Sequence, residues 1–315
     1  MNKEQAFANL NNKIKFKIKN IDLNYFNEKL KKNEPFTYLK ILHGFWEKIT
    51  SCGRNEQHSL ECNCSYCSLE NTISNIKNNK NYSKTENFQS QYFQEKENEI
   101  YDEINNSLIR NDEKSHYLEI IKLIMNTKTN ENLVLGVHYE PWPNAFFSHL
   151  WDEQCCINAV KSMNQILENK TVYNGHVFKQ ACMNGSILNF YKNLKRYHVV
   201  LVGLHHLNKV NNYFKFENFT FYPVNSSLAS RKEKFLKEFI EFDKKLKTEK
   251  TKVYLTQLGG SLNAWFGYKV HETIEKKSFL IDVGRSIDIW GCKKTTPYSI
   301  FEDKICKKKY YKLFK

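Results

Sequence analysis

The sequence predicts an α/β protein with a doubly wound, mostly parallel sheet, helices on both faces, and a helical, cysteine-rich insertion. Three short apolar runs, each rich in β-branched residues and each ending at a glycine, support this prediction: His198–Gly203, Lys252–Gly259 and Ser278–Gly284. A continuous apolar run of this kind is typical of a strand that is buried on both faces. The first two runs precede segments with helical spacing, and this alternation favours a parallel sheet.

Further helices and strands extend the pattern along the chain. Helical spacing of apolar residues predicts helices at Ile21–Lys32, Gln91–Arg110, Lys114–Asn126, Phe146–Glu168, Phe178–Leu194, Leu207–Phe214, Leu228–Leu246 and Ser261–Ile274. Short apolar runs predict strands or extended pieces at Phe36–Leu42, Leu133–Val137, Val172–Tyr173 and Phe219–Pro223. Ser261 is the predicted N-cap of the last helix, because its hydroxyl can accept from free N–H groups of the first turn.

We expect the chain to be organised in four regions. Residues 1–50 hold the N-terminal helix and the first strand, and residues 51–130 hold a cysteine-rich loop and a helical insertion. Residues 131–290 form the main α/β nucleotide-binding region, and residues 291–315 form a basic tail. The polar stretch Asn78–Asn87 is poor in aliphatic residues and is interpreted as a linker or loop inside the insertion.

The composition is that of a globular protein, with 41% apolar and 26% charged residues in a chain of 315. No apolar run approaches the roughly 18 residues that a membrane-spanning helix needs. The segment Met1–Lys19 is polar and basic, so we expect no secretory signal. Nine cysteines without such a signal favour reduced thiols and a cytoplasmic location.

The formal net charge of +14 has two interpretations. One is attraction to nucleic acid, to an anionic membrane surface or to a phosphorylated substrate. The other is compositional, because the chain is rich in Asn, Lys, Ile, Tyr and Phe and many of its lysines would then be solvated surface. The tail Lys304–Lys312 interleaves lysines with aromatic residues, and it is either a segment that binds phosphates or lipid headgroups or the wet face of a last amphipathic helix.

Several common signatures are missing from the sequence. No G-x-G-x-x-G follows a strand, and no Walker-type G-x-x-x-x-G-K-[ST] occurs. The G-x-S-x-G elbow of hydrolases and the H-E-x-x-H of zinc peptidases are also missing. Dehydrogenases, P-loop ATPases, esterases and such peptidases are therefore disfavoured.

Glycines and polar residues follow two of the apolar runs at their carboxyl ends. Because ligands of parallel sheets bind beyond these ends, we expect Gly203 and His205 to share one crevice with Gly259 and Ser261. Each pair precedes a helix, whose first N–H groups can bind an anion such as a diphosphate. Ordinary strand-to-helix turns with surface histidines are the alternative interpretation.

Asp282 ends the third apolar run, so it is a carboxylate at the end of a buried strand. A buried carboxylate needs a partner. That partner is either a ribose hydroxyl of a ligand or Arg285, which stands three positions later. A purely structural capping role for Asp282 is the alternative.

A cluster of cysteines is a candidate zinc site. Cys52, Cys62, Cys64 and Cys67 lie within sixteen residues, and His58 stands between the first and the second. Zinc takes four such ligands in a tetrahedron, and the Cys-x-Cys-x-x-Cys run would supply three of them. The spacing is not the paired C-x-x-C of a zinc ribbon, so free thiols in a loop are the other interpretation.

The loop His138–Asn144 follows a predicted strand and belongs to the same expected sheet edge. Its two prolines fix the backbone, and Trp142 offers a flat face for a sugar or a base. Glu140 is a candidate general base for an acceptor hydroxyl. A rigid loop that covers the core is the alternative interpretation.

A resemblance to a known family rests on four segments taken together. These are Val199–Gly203 with its following histidine, Val253–Gly259 before an apolar helix, Phe279–Asp288, and the early strand Phe36–Ile41. By their pattern they resemble the core of glycosyltransferases with the GT-D fold. The resemblance covers about half of the chain, and it implies a nucleotide-sugar donor as co-substrate.

The resemblance is weakest at one turn. In that family the first strand runs into an Arg-x-Gly-Asp-Gly-Glu-like turn, whose carboxylates are associated with the donor diphosphate and its metal. Here the matching turn runs from Lys40 to Glu47, with His43 where the Asp is expected. A histidine and one carboxylate hold Mn²⁺ or Mg²⁺ less firmly than two carboxylates. The metal site is then altered, the transfer is metal-independent, or catalysis is lost; alternatively, His43–Glu47 is a buried aromatic turn with Glu47 capping a helix.

The resemblance and the residues together predict a hexosyl- or pentosyltransferase. The donor diphosphate is expected over Gly203, His205, Gly259 and Ser261, and its ribose or base at Asp282 and Arg285. Lys40, His43 and Glu47 are expected near the reacting phosphate, and Glu140 or Glu47 as the base for the acceptor. The acceptor is a glycan, a protein or a modified nucleic acid, and the basic charge favours an anionic one. The second hypothesis is a non-catalytic nucleic-acid-binding protein with a zinc-stabilised loop.

Overall fold

An eight-stranded sheet organises the part of the chain that this computed structural model describes, namely residues 14–41, 45–46, 111–127, 132–137, 160, 162–224, 231–273 and 278–291. The strands are β1 Lys17–Lys19, β2 Thr37–Ile41, β3 Leu133–Val137, β4 Thr171–Asn174, β5 His198–Leu204, β6 Asn218–Val224, β7 Lys252–Gln257 and β8 Phe279–Asp282. Their order in the sheet is β1-β4-β3-β2-β8-β7-β5-β6. The pairs β2–β8, β3–β4, β5–β6, β5–β7 and β7–β8 are all parallel.

Seven α-helices and three 3-10 helices connect these strands within the described ranges. The α-helices are α1 Leu23–Lys31, α2 Asn111–Asn126, α3 Val177–Asn184, α4 Ile187–Asn193, α5 Val210–Phe214, α6 Lys232–Lys245 and α7 Gly260–Thr273. The 3-10 helices are Leu194–Arg196, His205–Lys209 and Gly284–Gly291. Helix α1 begins at Asp22, whose side chain accepts from the backbone N–H groups of Asn24 and Tyr25 and so satisfies two donors of the first turn.

The path of the chain confirms the doubly wound α/β prediction. From β5 the chain moves outward to β6, crosses back to β7, and then moves from β7 to β8 in the opposite direction. The winding therefore reverses between the neighbouring strands β5 and β7. In open α/β sheets, ligands bind in the crevice outside the carboxyl ends at such a reversal.

A large aromatic core covers one face of the sheet and joins α1, α3, α4 and α5 to it. Tyr191 of α4 packs edge-on against Trp290, with ring centroids 5.4 Å apart, and Phe214 of α5 approaches the same indole at 4.9 Å. Complete burial of one such side chain is worth about 1.5–3 kcal/mol. The core thus fixes the 3-10 helix Gly284–Gly291, which follows β8, against the sheet.

Helices α6 and α7 pack together on another layer of the fold. Phe239 of α6 lies 5.0 Å from Phe266 of α7 and 5.8 Å from Tyr254 of β7, measured between ring centroids. Gly267 of α7 faces the side chain of Leu39 on β2 so closely that a Cβ atom would collide with it. Close contact of this kind fixes the position of α7, and hence of its N-terminus, over the ends of β7 and β8.

The chain divides into two compact units. The larger consists of Lys19–Lys40, Asn130–Val137 and Tyr173–Lys315. The smaller consists of Met1–Ile18, Ile41–Thr129 and His138–Val172. Within the smaller unit, Phe45 and Trp46 are buried, and the Trp46 indole N–H donates to the carbonyl of Ile41 at 3.1 Å.

Three details differ from the predicted elements. The predicted helix Phe178–Leu194 is two helices, because Gly185 adopts a left-handed conformation at φ 81° between α3 and α4. The predicted helix Leu207–Phe214 starts earlier, as the 3-10 helix from His205. Helix α7 starts at Gly260, and the Asn263 N–H already donates to the Gly259 carbonyl, so Gly259 takes the cap position predicted for Ser261. The cysteine-rich stretch lies outside the described residues.

A search for membrane-spanning helices among the described residues finds none with the necessary length and apolar character.

Candidate functional site

Buried polar side chains gather at the carboxyl ends of β2, β7 and β8 and in the segments that follow β5, β7 and β8. We call this region the carboxyl edge and define it by Lys40, His206, Thr256, Gln257, Asn263, Asp282 and Asp288. Six of these seven side chains belong to buried residues, and His206 is partly buried. Buried polar groups are costly unless they are paired, so their concentration beside the winding reversal marks a candidate binding site.

An ion pair joins the ends of β2 and β8. The Lys40 Nζ atom lies 3.3 Å from Asp282 Oδ1, and the two side chains are only 6% and 4% exposed. The sequence left the partner of Asp282 between Arg285 and a ribose hydroxyl, and the structure gives it Lys40. Burial raises the pKa of the Asp282 carboxyl, and this effect outweighs the opposing pull of Lys40, Asn263 and the Gly284 N–H.

Gly284 is shaped to this ion pair. Its N–H donates to Asp282 Oδ1 at 2.9 Å, and its φ of 51° is in the left-handed region that glycine tolerates. A Cβ atom at this position would collide with Lys40 Nζ. The glycine that ends the third apolar run is therefore needed for both its backbone conformation and the space it leaves.

Two further oxygens adjoin Asp282. Thr256 pairs in register with Asp282, so both side chains emerge on the same face of the sheet, and Asn263 of α7 hydrogen-bonds to the Asp282 carboxylate. Thr256 Oγ1 and Asn263 Oδ1 are buried and find no hydrogen-bond partner among the described residues. Each such group costs about 1–3 kcal/mol, which a ligand hydroxyl or N–H would recover.

A second buried carboxylate, Asp288, joins the segments that follow β5 and β7. Its Oδ1 atom accepts from His206 Nε2 at 2.9 Å and from Gln257 Nε2 at 2.5 Å. His206 lies in the 3-10 helix after β5, and Gln257 is the last residue of β7. The network therefore spans the two strands between which the winding reverses. Gln257 Oε1 has no partner among the described residues.

The glycines of the carboxyl edge have different physical reasons. A Cβ atom on Gly203 would lie 2.6 Å from Leu207 Cδ1 and 3.2 Å from the Gln257 carbonyl, so close packing requires that glycine. Gly259 has φ 87°, and a Cβ atom on Gly259 or Gly260 would meet no described atom within 4 Å. Open space therefore lies beside the N-terminus of α7, in the part of the chain that the structure describes.

The remaining predicted site residues fall into two groups. Arg285, Ser261 and His205 are at the surface or only partly buried, at the starts of the helices that follow β8, β7 and β5. The other group lies outside the described residues: His43, Glu47, Glu140, Cys52, Cys62, Cys64 and Cys67.

Sequence reasoning missed four residues of the carboxyl edge: His206, Gln257, Asn263 and Asp288. One usable signal was Thr256–Gln257, a polar pair that ends an otherwise apolar strand. Asp288 carried a weaker signal, because it lies one 3-10 segment after Asp282 among apolar residues. The pairing of Asp288 with His206 has no local signal, since the two residues are far apart in the chain.

The buried carboxylates of this edge are not arranged as metal ligands. No group of three or more His, Cys, Asp or Glu side chains that could hold a metal ion occurs among the described residues. Asp282 is already bonded to a lysine, and Asp288 accepts from a histidine and an amide. A cation beside Lys40 would meet a like charge, so the donor set of the described edge does not fit Mn²⁺ or Mg²⁺.

A cavity of about 540 Å³ lies at the opposite end of the sheet, between the end of α6 and the start of β7. Its lysines have local explanations. Lys252 pairs with Asp243 at 2.9 Å, and Lys250 pairs with Glu217 at 3.1 Å. Lys244 lies in the last turn of α6, where a cation stabilises the helix dipole. We therefore base the functional argument on the carboxyl edge.

Two solved structures are similar to this chain in fold. One is described as a domain of unknown function 1792 that has a distinct glycosyltransferase fold, with TM-score 0.53, 13% identity, and coverage of 97% of this chain and 87% of that one. The other is described as a selenomethionine-substituted structure of domain of unknown function 1792, with TM-score 0.51, 12% identity, and coverage of 90% and 83%. No protein-family model and no curated protein matches the sequence. The chain thus has the fold of this glycosyltransferase-like domain, as the resemblance to GT-D glycosyltransferases predicted.

Proposed function

We propose that the protein is a glycosyltransferase that moves a hexosyl or pentosyl group from a nucleotide-sugar donor to an acceptor hydroxyl. The observation that supports this best is the carboxyl edge itself. Two buried carboxylates, Asp282 and Asp288, with their partners adjoin the winding reversal of a glycosyltransferase-like fold. Fold alone does not determine function, so the argument rests on the chemistry of this edge.

In this proposal the donor diphosphate binds over the N-terminus of α7, at Gly259 and Ser261, with Gly203 and His205 on the β5 side. The free N–H groups of a helix start favour an anion, and the open space beside Gly259 and Gly260 admits one. The ribose or base end binds at Asp282 and Arg285. The two buried oxygens beside Asp282 support this, because both accept from hydroxyl or N–H groups of a ligand.

Three residues outside the described ranges complete the proposed site. His43 and Glu47 follow β2 in the chain and would lie near the reacting phosphate, with Lys40 at the end of the same strand. Glu140 or Glu47 would take the proton of the acceptor hydroxyl. The net charge of +14 supports an anionic acceptor, such as a phosphorylated glycan or a nucleic acid.

A donor panel tests the proposal directly. Purified protein is mixed with UDP-, GDP- and dTDP-sugars, and thermal stabilisation and donor hydrolysis are measured. A donor at 100 times its Kd should stabilise the folded state by about 2.7 kcal/mol. If no nucleotide or nucleotide sugar stabilises the protein, while DNA or RNA binds with a steep salt dependence, the proposal is wrong and the nucleic-acid hypothesis replaces it.

Matched variants locate the site. Ser261→Ala and Arg285→Ala change side chains that are not in the core, so they should weaken donor binding by about tenfold each without unfolding the protein. Lys195→Ala is the control, because Lys195 is an exposed residue of the 3-10 helix Leu194–Arg196 before β5, at the other end of that strand. Equal donor affinity in all three variants would remove the donor from the carboxyl edge.

A further inference from the structure

The geometry points to His206 as the residue that stabilises the leaving diphosphate, with Asp288 as its positioning residue. This inference rests on the proposed function and names a group that the sequence did not. His206 differs from its neighbour His205 in one respect that matters. Its imidazole is bonded to a buried carboxylate, whereas His205 is exposed.

The hydrogen-bond pattern fixes the state of the imidazole. An ionised carboxylate oxygen can only accept, so the hydrogen of the 2.9 Å contact with Asp288 Oδ1 is on His206 Nε2. No described residue is bonded to Nδ1, which leaves that nitrogen for a ligand. A carboxylate on one side of an imidazole also stabilises its protonated form. His206 can therefore present a charged Nδ1–H group to an anion.

Asp288 is itself held in place. Its side chain is 6% exposed, and the Gln257 amide donates to the same oxygen at 2.5 Å. The backbone of its 3-10 helix is fixed by Trp290, which packs against Tyr191 and Phe214 in the core. The imidazole is thus oriented by a rigid support, the arrangement that electrostatic stabilisation of a transition state requires.

The position suits the leaving group of a sugar transfer. His206 follows β5 and Gln257 ends β7, so the network borders the reversal where the diphosphate is proposed to bind. In the transfer step the bond between the anomeric carbon and a diphosphate oxygen breaks, and its electron pair stays on that oxygen. The acceptor oxygen forms the new bond to carbon and gives its proton to the base. The His206 Nδ1–H group donates to the diphosphate as its charge increases.

Free nucleoside diphosphate is the informative probe, because it carries the full charge of the leaving group. For His206→Gln we expect its Kd to rise by about tenfold to a hundredfold, the effect of losing a charge-assisted hydrogen bond. The KM for the nucleotide sugar should change by no more than about threefold, whereas kcat should fall by a similar factor to the diphosphate affinity. Asp288→Asn should reproduce this pattern, since it removes the carboxylate and keeps the shape.

Asn208→Ala is the matched control, because Asn208 is an exposed residue of the same 3-10 helix. It should leave kcat, KM and diphosphate affinity as in the wild type. His206→Gln remains a fair test even if Asp288→Asn fails to fold, because the His206 side chain is 19% exposed and lies outside the core. Circular dichroism and thermal unfolding verify that the compared variants are folded.

The possible outcomes separate this inference from the proposed function. If the wild type binds no nucleoside diphosphate and turns over no donor, both the proposed function and the role of His206 are wrong. If the wild type transfers sugar and His206→Gln does so equally well, only the role of His206 is overturned. A parallel loss of affinity for donor and for free diphosphate would indicate a merely structural role and would also overturn it.

Discussion

Removing one member of the Lys40–Asp282 ion pair should destabilise the protein more than removing both. In Lys40→Met, the apolar part of the side chain is retained and the charge is lost, so Asp282 is left buried without its cation. In Asp282→Asn, Lys40 is left in the same situation. Both side chains are less than a tenth exposed, so solvent cannot replace the lost partner.

Breaking a buried pair in this way costs about 3–5 kcal/mol, whereas exchanging both members for neutral residues costs far less. Each single variant should therefore lose about 3–5 kcal/mol of unfolding free energy, and the double variant should recover most of that loss. Unfolding entropy is roughly 2.1 cal/mol/K per residue, so over 315 residues a single variant should lower Tm by about 5–8 °C.

Urea unfolding of the wild type, the two single variants and the double variant measures the coupling between the residues. The reasoning is refuted if the two single effects add up to the double effect within about 0.5 kcal/mol, which is the behaviour of independent sites. Acid provides a second check. Protonation removes the charge from Asp282, so the loss in Lys40→Met should shrink as the pH falls toward the carboxyl range near 4.

Three further predictions concern the same framework. Gly284→Ala should cost about 1–3 kcal/mol in urea unfolding, because its φ of 51° is strained for alanine and its Cβ atom would collide with Lys40 Nζ; an unchanged midpoint would contradict this. Gly267→Ala in α7 should also destabilise, although alanine is favoured over glycine in helices by about 0.8–1.0 kcal/mol, because the new Cβ atom would meet Leu39; a higher Tm would show that α7 can shift. The raised pKa of Asp282 means that the folded state binds this proton more tightly than the unfolded chain does, so this group's contribution to stability falls as the pH rises from the usual carboxyl range through the raised pKa. Asp282→Asn should lack that slope in unfolding measured between about pH 4 and pH 7, and an identical slope in both proteins would assign it to other groups.

The sheet could be predicted from the sequence because its signal is local. Strands such as Val199–Leu204 and Val253–Gln257 are buried on both faces, so they appear as continuous apolar runs. The strand order and the contacts at the carboxyl edge depend instead on residues far apart in the chain. Lys40 and Asp282 meet only because β2 and β8 are neighbours, and nothing near either residue announces the other.

The choice of Gly203 and Ser261 as site residues shows the same limit from the other side. A glycine at a strand end suggests a ligand, yet Gly203 has a packing reason that the sequence cannot display, namely the Leu207 side chain and the Gln257 carbonyl. Ser261 was expected to cap α7, but Gly259 takes that position with a left-handed backbone. Local patterns thus located the edge correctly in the chain and left open which of its residues face a ligand.

The two buried carboxylates of the edge have partners of different kinds, and this difference assigns them different tasks. Lys40 keeps its charge over the physiological pH range, so the Lys40–Asp282 pair is a permanent feature that fixes the ends of β2 and β8. The imidazole of His206 can gain or lose a proton near neutral pH, so the charge that Asp288 holds in place can change during a reaction. Catalysis requires interactions that are stronger in the transition state than in the ground state. Of the two pairs, only His206–Asp288 can supply such an interaction to a leaving diphosphate, whereas Lys40–Asp282 is suited to binding and to rigidity.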